Sequence, residues 1–372
     1  MISGGRLPAW RDARRVLCVR LDAMGDVLMT TPALAALRAG GSHVTLLTSA
    51  AGARIARLVP EIDEVLTYEA PWMKGHARPA GSADLDAPGG PLRDEDLIRH
   101  LAAGGFDAAV VFTVYSQSAF PSIMACFLAG IPLRLAHCRE NPYRLLTDWV
   151  PDPEPRAIVR HEVRRQLDLV ATVGFTIRDE RLRLRVPEPA RARVRRLLAS
   201  ADLPADRWVL VHPGGTAPSR RYPPEHFAAA ARLLAREADL DIVLSGSVEE
   251  IPLVEDIRSR LRAPSRSFAG ELDLAELAAL VEAAPVLVAN NSGPAHIAAA
   301  VGTPVVDLYA LTNPQHTPWS VPNVVLSHDV PCRDCHRSVC PEGHHACLRE
   351  VPPSRVLEAT MELLARRSLL AV

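Results

Sequence analysis

Short runs of β-branched and aliphatic residues alternate along the chain with longer stretches whose apolar residues recur at helical spacing. This alternation is typical of a parallel sheet covered by helices, since each crossover between parallel strands needs a helix. A first series of strands is predicted at residues 16–21, 43–49, 64–69, 107–113 and 134–138. Helices are predicted between them at residues 26–39, 51–58, 94–103 and 116–129. Residues 70–91 are rich in Pro, Gly and Ala without any period and predict a long loop.

A second series follows a charged connector, residues 176–207, which contains one arginine-rich helical stretch. Its strands are predicted at residues 209–215, 241–246, 286–291 and 304–309. Its helices are predicted at residues 224–238, 249–261, 273–284 and 293–301, with a final amphipathic helix at 352–370. The pattern predicts two α/β domains in tandem, covering residues 1–178 and 179–351, followed by a C-terminal helix, 352–372.

Composition agrees with two domains and excludes several classes of protein. The 372 residues are too many for one ordinary core, and 48% of them are hydrophobic. With 42 basic and 43 acidic residues the net charge is −1, which excludes the basic excess typical of nucleic-acid binding. The longest apolar stretch, residues 119–133, contains two prolines and is shorter than the roughly 20 residues that span a bilayer. The N-terminal residues lack the apolar segment of a signal peptide, so we expect a cytoplasmic protein with no nucleic-acid partner.

Three loops that follow predicted strands carry the candidate chemistry, because ligands of parallel α/β sheets bind beyond the carboxyl ends of the strands. In the first loop the strand passes through Gly25 into a helix near Asp26. Asp26 is either a carboxylate that stabilises the helix N-terminus or a functional acid. The dinucleotide fingerprint G-x-G-x-x-G is absent, which argues against an NAD domain of the common type.

The second loop, within residues 211–227, is rich in Gly, hydroxyl and Arg residues that suit a diphosphate. Its candidate ligands are Gly214, Gly215, Thr216, Ser219, and Arg220 or Arg221. The alternative is a turn with solvated arginines.

The third loop leads into a helix whose first turn contains a proline, a geometry that points backbone N–H groups at an anion. Its candidate residues are Asn291, Ser292, Gly293 and Pro294. His296, on the same helix, is either a ligand group or a packed core histidine.

Taken together, the three loops resemble glycosyltransferase family 9, the bacterial heptosyltransferases. That family combines R-x-x-x-x-G-D near the N-terminus, here Arg20 to Asp26, with a P-G-x-x-x-x-K-x-W-P-like loop and an N-D-[ST]-G-x-x-H segment. The resemblance implies an α/β chain of the GT-B fold, two Rossmann-like domains with parallel sheets facing across a cleft. The N-terminal domain would serve the acceptor side and the C-terminal domain the nucleotide sugar, with the last helix returning to the N-terminal domain.

The resemblance also implies a function: inverting transfer of a heptose from ADP-heptose to a saccharide such as the lipopolysaccharide inner core, with no cofactor required for chemistry. It makes Asp26 the general base for the acceptor hydroxyl. It assigns Thr216 and Arg220 to the donor phosphates and Glu249 to the ribose, with an alignment uncertain by one position. It assigns the diphosphate cradle to Ser292, Gly293 and His296.

Two residues depart from the family pattern. Arg220 replaces a lysine, which is unsurprising because Lys74 is the only lysine in the chain. Asn291 replaces an aspartate and exchanges a charge for an amide, which leaves the sugar open. Alternatives are therefore another nucleotide sugar, a protein or metabolite as acceptor, and a non-catalytic sugar-nucleotide-binding protein. A lipid-linked acceptor would add peripheral contact with the inner face of a membrane.

A cysteine-rich segment, residues 332–347, contains Cys332, Cys335, Cys340 and Cys347 together with three histidines. This donor set suits a structural Zn²⁺ or iron site. Free thiols or disulfides are the alternative, since the spacing is not that of a standard zinc ribbon.

Five residues of the N-terminal half are candidates for contact with an acidic acceptor: His161, Arg164, Arg165, Arg134 and Arg139. For the first three, a solvated helix face is the favoured interpretation.

Overall fold

The computed structural model describes residues 7–73, 92–201, 203 and 206–370. Most of the predicted long loop, residues 74–91, lies outside these ranges. The chain divides into two compact units, Met1–Arg185 and Val186–Val372. The boundary falls a few residues after the one predicted from the sequence.

The first unit contains a sheet of six parallel strands in the order β3-β2-β1-β4-β5-β6. The strands are β1 (Arg15–Arg20), β2 (His43–Thr48), β3 (Glu64–Thr67), β4 (Ala108–Val111), β5 (Leu133–Cys138) and β6 (Asp148–Pro151). The residues of β4 are all buried, as expected for a strand covered on both faces. The order runs one way from β1 to β3 and the other way from β4 to β6, so β1 and β4 flank a topological switch point.

The described part of this unit contains six helices: α1 (Leu7–Asp12), α2 (Met24–Ala39), α3 (Ala50–Ala56), α4 (Asp94–Ala103), α5 (Phe120–Leu128) and α6 (Glu162–Ala171). Helix α2 packs against α3 and α6, and α4 packs against α5. One face of the sheet, with Leu17, Val19 and Val111, forms a continuous core with Leu101 and Ile123 of the second pair.

The second unit repeats this architecture, with six parallel strands in the order β12-β11-β10-β7-β8-β9. The strands are β7 (Trp208–His212), β8 (Asp241–Leu244), β9 (Ser265–Ser267), β10 (Leu287–Asn290), β11 (Val305–Leu308) and β12 (Asn323–Leu326). Here the order reverses between β7 and β10, which places the switch point between the second and third candidate loops.

The helices of the second unit are α7 (Glu188–Ser200), α8 (Pro224–Glu237), α9 (Ile251–Leu261), α10 (Leu274–Ala283), α11 (Gly293–Val301), α12 (Ala346–Arg349) and α13 (Pro353–Leu370). The last helix, α13, packs on α8, β11 and β12, and its Val356 and Leu363 are fully buried in the core of this unit. The return of this helix to the N-terminal domain stays a prediction.

The predicted strands and helices are present with shifts of a few residues at their ends, whereas the edge strands β6, β9 and β12 were not predicted. Helices α1 and α12 were also missed. Trp10 of α1 is fully buried and donates from Nε1 to Asp148 Oδ2 of β6 at 2.9 Å. This hydrogen bond connects α1 and β6, two elements that the sequence did not predict.

The solvated helix face predicted for α6 is wrong for Arg165, whose side chain is 1% exposed. Its guanidinium pairs with Asp152 Oδ1 at 2.8 Å and Glu154 Oε2 at 2.5 Å, and Nε donates to the Thr113 carbonyl oxygen at 2.9 Å. The sequence alone does not reveal this burial, because both carboxylates come from the preceding loop, where Asp152 directly follows β6.

We expect Arg165→Leu to lower the free energy of unfolding by about 3 kcal/mol, because Asp152 loses its paired cation and Glu154 keeps only Arg160. The matched control is Arg181→Leu, which removes an exposed partner of Asp179 and should lower the free energy of unfolding far less. Chemical denaturation of the three proteins checks this. Equal losses in the two variants would contradict the structural role given to Arg165.

Candidate functional site

The switch point of the first sheet brings together the loops that leave β1 and β4. Asp22 follows β1, and Gln117 lies in the segment that follows β4. The Gln117 amide donates to Asp22 Oδ1, which joins the two loops. The predicted functional residue Asp26 lies at this edge of the sheet, in the first turn of α2.

Arg20, the last residue of β1, is fully buried and forms ion pairs with three carboxylates. Its Nε lies 2.9 Å from Asp22 Oδ2, its Nη2 3.1 Å from Asp26 Oδ1, and its Nη1 2.7 Å from Glu162 Oε1. We call Arg20, Asp22, Asp26 and Glu162 the arginine cluster. One guanidinium does not neutralise three carboxylates, so the cluster favours retention of protons.

The pKa values in the cluster reflect this imbalance. Burial raises the pKa of Asp22 to about 6 against the attraction of Arg20, and the charge of Asp26 adds to the effect. Burial also raises the pKa of Glu162. Although burial opposes it, the three carboxylates raise the pKa of Arg20, so the guanidinium stays charged.

Asp26 is the most exposed carboxylate of the cluster. Its side chain is 19% exposed, compared with 10% for Asp22 and 0% for Glu162. Helix α2 begins at Met24 with Ala23 as N-cap, so Gly25 and Asp26 lie within the first turn and Asp26 is not the cap. An oriented and accessible carboxylate at a helix N-terminus can accept a proton from a bound hydroxyl.

The other candidates of the first unit make mainly structural contacts. His161 is the N-cap of α6 and accepts from Val163 N at 3.2 Å through Nδ1. Arg164 pairs with Glu180. Arg134 donates to the carbonyl oxygens of Leu145 and Arg144. Arg139 is exposed and lies 4.0 Å from Asp152.

In the second unit, Asn290 joins the two loops of the switch point. This fully buried residue ends β10, and its Nδ2 donates to the carbonyl oxygens of Pro213 at 2.7 Å and Gly214 at 3.2 Å. Its Oδ1 accepts from Tyr222 N at 2.9 Å. Both ends of the Gly-rich segment are thus held by one amide.

Glu250 fixes the glycines of this segment. Its Oε1 accepts from Gly215 N at 3.0 Å, and a Cβ on Gly214 would lie only 2.1 Å from that oxygen. A side chain at position 214 would therefore displace the Glu250 carboxylate. The sequence alignment left the ribose ligand uncertain by one position between neighbouring residues. In the structure Glu250 contacts the Gly-rich loop, whereas Glu249, in the same turn, is exposed.

The remaining residues of the second loop differ in accessibility. Thr216 is exposed and Arg220 is half-buried at the end of a short 3₁₀ turn, Pro218–Arg220. Ser219 is buried and donates from Oγ to the Arg337 carbonyl oxygen at 2.7 Å. Its hydroxyl therefore holds the cysteine-rich segment.

The third loop leads into α11 as predicted. Ser292 is the N-cap, Gly293 and Pro294 occupy the first turn, and Ser292 Oγ donates to the Asn290 carbonyl oxygen at 3.1 Å. His296 is 4% exposed, which favours packing within the unit. The N-terminus of α11 and the Gly-rich segment thus lie at the same edge of the sheet.

Asn291 lies over a buried carboxylate that the sequence analysis did not single out. Its Nδ2 donates to Asp307 Oδ2 at 3.2 Å and to the His316 carbonyl oxygen at 2.7 Å. Asp307 belongs to β11 and is fully buried. In the sequence it is one acidic residue inside an apolar strand, and that irregularity was the available signal.

The cysteine-rich segment packs beside the second loop. Ser219 N donates to the Ser338 carbonyl oxygen at 3.0 Å, and His345 Nε2 lies 2.6 Å from the Ser219 carbonyl oxygen. Burial raises the pKa of the Cys347 thiol, and the neighbouring thiols of Cys340, Cys332 and Cys335 add to this. Among the described residues no group of three or more His, Cys, Asp or Glu side chains is placed to hold a metal ion, so the donor set does not fit a metal as arranged here.

No helix within the described ranges is long and apolar enough to cross a membrane.

Comparison with known proteins agrees with this geometry. The model of glycosyltransferase family 9 (heptosyltransferase) matches residues 95–346. The chain is 27% identical to lipopolysaccharide heptosyltransferase 2 of Escherichia coli K12 over 367 residues, covering 94% of this chain and 98% of that protein.

Two solved structures share the fold. The E. coli ADP-heptose lipopolysaccharide heptosyltransferase II aligns with a TM-score of 0.70 at 24% identity, covering 95% of this chain and 99% of that one. The E. coli heptosyltransferase WaaC with ADP-2-deoxy-2-fluoro heptose aligns with a TM-score of 0.61 at 16% identity, covering 94% and 99%. The predicted GT-B class of α/β fold, with two parallel sheets, is confirmed.

The family model spans more than half of the chain, and the motifs that carried the resemblance lie at the carboxyl ends of the strands that flank the two switch points. The chain therefore belongs to glycosyltransferase family 9, the heptosyltransferases, and is a glycosyltransferase.

Proposed function

We propose that this enzyme transfers a heptose from ADP-heptose to a hydroxyl of a saccharide acceptor, such as the lipopolysaccharide inner core, with inversion at the anomeric carbon. The observation that carries the proposal is the arginine cluster, in which Asp26 is the most exposed of the three carboxylates on a buried guanidinium. The identity of the nucleotide and sugar is supported by the ADP-heptose names of the relatives.

In the proposed reaction Asp26 accepts the proton of the acceptor hydroxyl while the oxygen attacks the anomeric carbon. The bond from that carbon to the ADP oxygen breaks, so one carbon–oxygen bond forms and one is lost, with inversion. The ion pair with Arg20 fixes the position of Asp26 Oδ1. Because a carboxylate is planar, this also limits the directions in which Asp26 Oδ2 can point. Positioned proton transfer of this kind contributes about 10²-fold or more to a rate.

The donor would bind to the second unit. Backbone N–H groups at the N-terminus of α11, the Thr216 hydroxyl and the Arg220 guanidinium supply hydrogen bonds and positive charge for a diphosphate. The same groups stabilise the negative charge that develops on ADP as it leaves. The missing side chain at Gly214 leaves room for the Glu250 carboxylate, which holds the backbone of this loop through Gly215 N.

The role of Asp26 as general base is tested by replacing its carboxylate with an amide. We expect Asp26→Asn to lower kcat with ADP-heptose at least about 100-fold while the dissociation constant for ADP changes less than about twofold, because the amide keeps the shape but accepts no proton. The measurement is ADP release with acceptor present, together with calorimetric titration of ADP.

Glu188→Gln is the matched control, since Glu188 lies in the first turn of α7 and is exposed. Its kcat should equal that of the wild type. Retained turnover in Asp26→Asn would overturn the role of Asp26.

The nucleotide of the donor is tested by the stability that each candidate nucleotide confers on the protein. In thermal-shift titrations we expect ADP to raise the melting temperature more than UDP, GDP, dTDP or NAD⁺, because a ligand stabilises the native state as RT ln(1 + [L]/Kd). Gly214→Ala should abolish the shift, since its Cβ would displace Glu250.

Gly215→Ala is the control for stability, as its Cβ would meet only Arg221 Cγ at 3.9 Å, and it should melt within about 2 °C of the wild type. A larger shift with another nucleotide would exclude ADP as the donor nucleotide. A full ADP shift in Gly214→Ala would remove the Gly-rich loop from the donor site.

A further inference from the structure

We propose that Asp307 is a positioning residue that orients the amide of Asn291, so that this amide presents its oxygen, and not its NH₂ group, to a hydroxyl of the donor sugar. The inference rests on the proposed function and deepens it. Position 291, where the family motif has an aspartate, would then offer a hydrogen-bond acceptor, and not a donor, to the sugar.

Within the described residues, the hydrogen bond that the Asp307 side chain makes is with Asn291. It lies in β11 with its Cα opposite Ala289 of β10, so its side chain lies beneath the loop that follows β10. It is fully buried, and among the described residues its Oδ1 has no hydrogen-bond partner. Its one hydrogen bond in the described structure is the one from Asn291. A carboxyl group in such surroundings is costly unless it has a role, since nearly all buried polar groups are hydrogen-bonded.

The two donors of the Asn291 amide are both used inside the unit. Nδ2 donates to Asp307 Oδ2 and to the His316 carbonyl oxygen. A flipped amide would place its oxygen against two acceptors, which is repulsive, so the orientation is set. The amide oxygen makes no hydrogen bond within the described residues, and Asn291 remains 5% exposed. The oxygen is therefore the group left for a ligand.

The second acceptor is itself held in place. His316 N donates to the Tyr309 hydroxyl at 3.2 Å, and that hydroxyl donates to the Asn313 carbonyl oxygen. Tyr309 is buried directly after β11. The segment that supplies the His316 carbonyl oxygen is thus anchored to the same strand as Asp307, and both acceptors keep one geometry.

The arrangement also accounts for an amide at position 291. Burial raises the pKa of Asp307 against the hydrogen bond from Asn291. An aspartate at position 291 would place a second carboxyl about 3 Å from it, and two carboxylates so close do not both ionise. An amide at position 291 avoids this repulsion and leaves one acceptor oxygen for a ligand.

Such an acceptor selects for a sugar hydroxyl. A donor sugar with a hydroxyl at the matching position satisfies the amide oxygen, whereas a deoxy analogue leaves a largely buried oxygen without a partner. The effect should appear in recognition of the sugar and not of ADP.

The experiment compares Asp307→Ala, Asp307→Asn, Asn291→Asp and the double variant Asn291→Asp/Asp307→Asn. For each we would measure the KM for ADP-heptose, the inhibition constant for ADP and the melting temperature. In Asp307→Ala we expect the KM to rise about tenfold and the ADP inhibition constant to change less than twofold, because one hydrogen bond that orients the amide is lost. In Asp307→Asn an acceptor oxygen remains, so the KM should stay within about threefold of the wild type.

Asn291→Asp alone should lower the melting temperature and raise the KM, and the double variant should recover both, because its single carboxylate faces an amide donor. A wild-type KM in Asp307→Ala, an equal rise in the ADP inhibition constant, or no recovery in the double variant would overturn the proposal. The melting temperatures need no donor. If the wild type fails to turn over ADP-heptose, the proposed function fails, while recovery of stability in the double variant still tests the pairing of these two residues.

Discussion

A buried guanidinium must keep its carboxylate partners, and this constraint organises the first unit. Arg20 ends β1, Asp22 follows it, Asp26 lies in the first turn of α2, and Glu162 begins α6. Removing Arg20 would leave three carboxylates without their shared cation, which typically costs several kcal/mol. The strand end and two helix starts are therefore held to one geometry. The carboxylate proposed as general base is oriented by the same ion pairs that stabilise the fold.

In the second unit a neutral side chain, the amide of Asn290, connects the loops at the switch point. Asn290 bonds the Gly-rich loop through two carbonyl oxygens and the start of α8 through Tyr222. The cations Arg220 and Arg221 lie in the segment between this loop and α8, and Arg221 Nε donates to the Gly215 carbonyl oxygen. The contrast is physically sensible, since a proton acceptor needs a carboxylate, whereas an anion site is favoured by cations and N–H donors. Glu250 is the exception: its carboxylate lies at this loop, where its oxygens accept from the Gly215 and Ser247 backbone N–H groups.

The sequence was sufficient for the covered strands and for the loops that follow them, because apolar runs and Gly-rich turns are local signals. It missed β9 and β12, whose residues are largely polar or half-exposed and carry no clear alternation. It placed Arg165 in solvent, since the carboxylates that bury it lie in another segment. Asp307 shows the same limit, because a carboxylate inside a strand acquires its role only from Asn291, on the neighbouring loop. Contacts between distant segments decide these roles, and a single sequence does not display them.

The measurement that tests the account most directly is ADP release from purified protein incubated with ADP-heptose, with and without an inner-core saccharide, and with UDP-glucose and ADP-glucose as competing donors. The account predicts ADP release from ADP-heptose that depends on the acceptor, with a kcat/KM at least about tenfold above that of ADP-glucose, the discrimination that one well-placed hydroxyl contact supplies. Release from ADP-glucose or UDP-glucose at an equal or higher rate, or no release stimulated by acceptor, would contradict it.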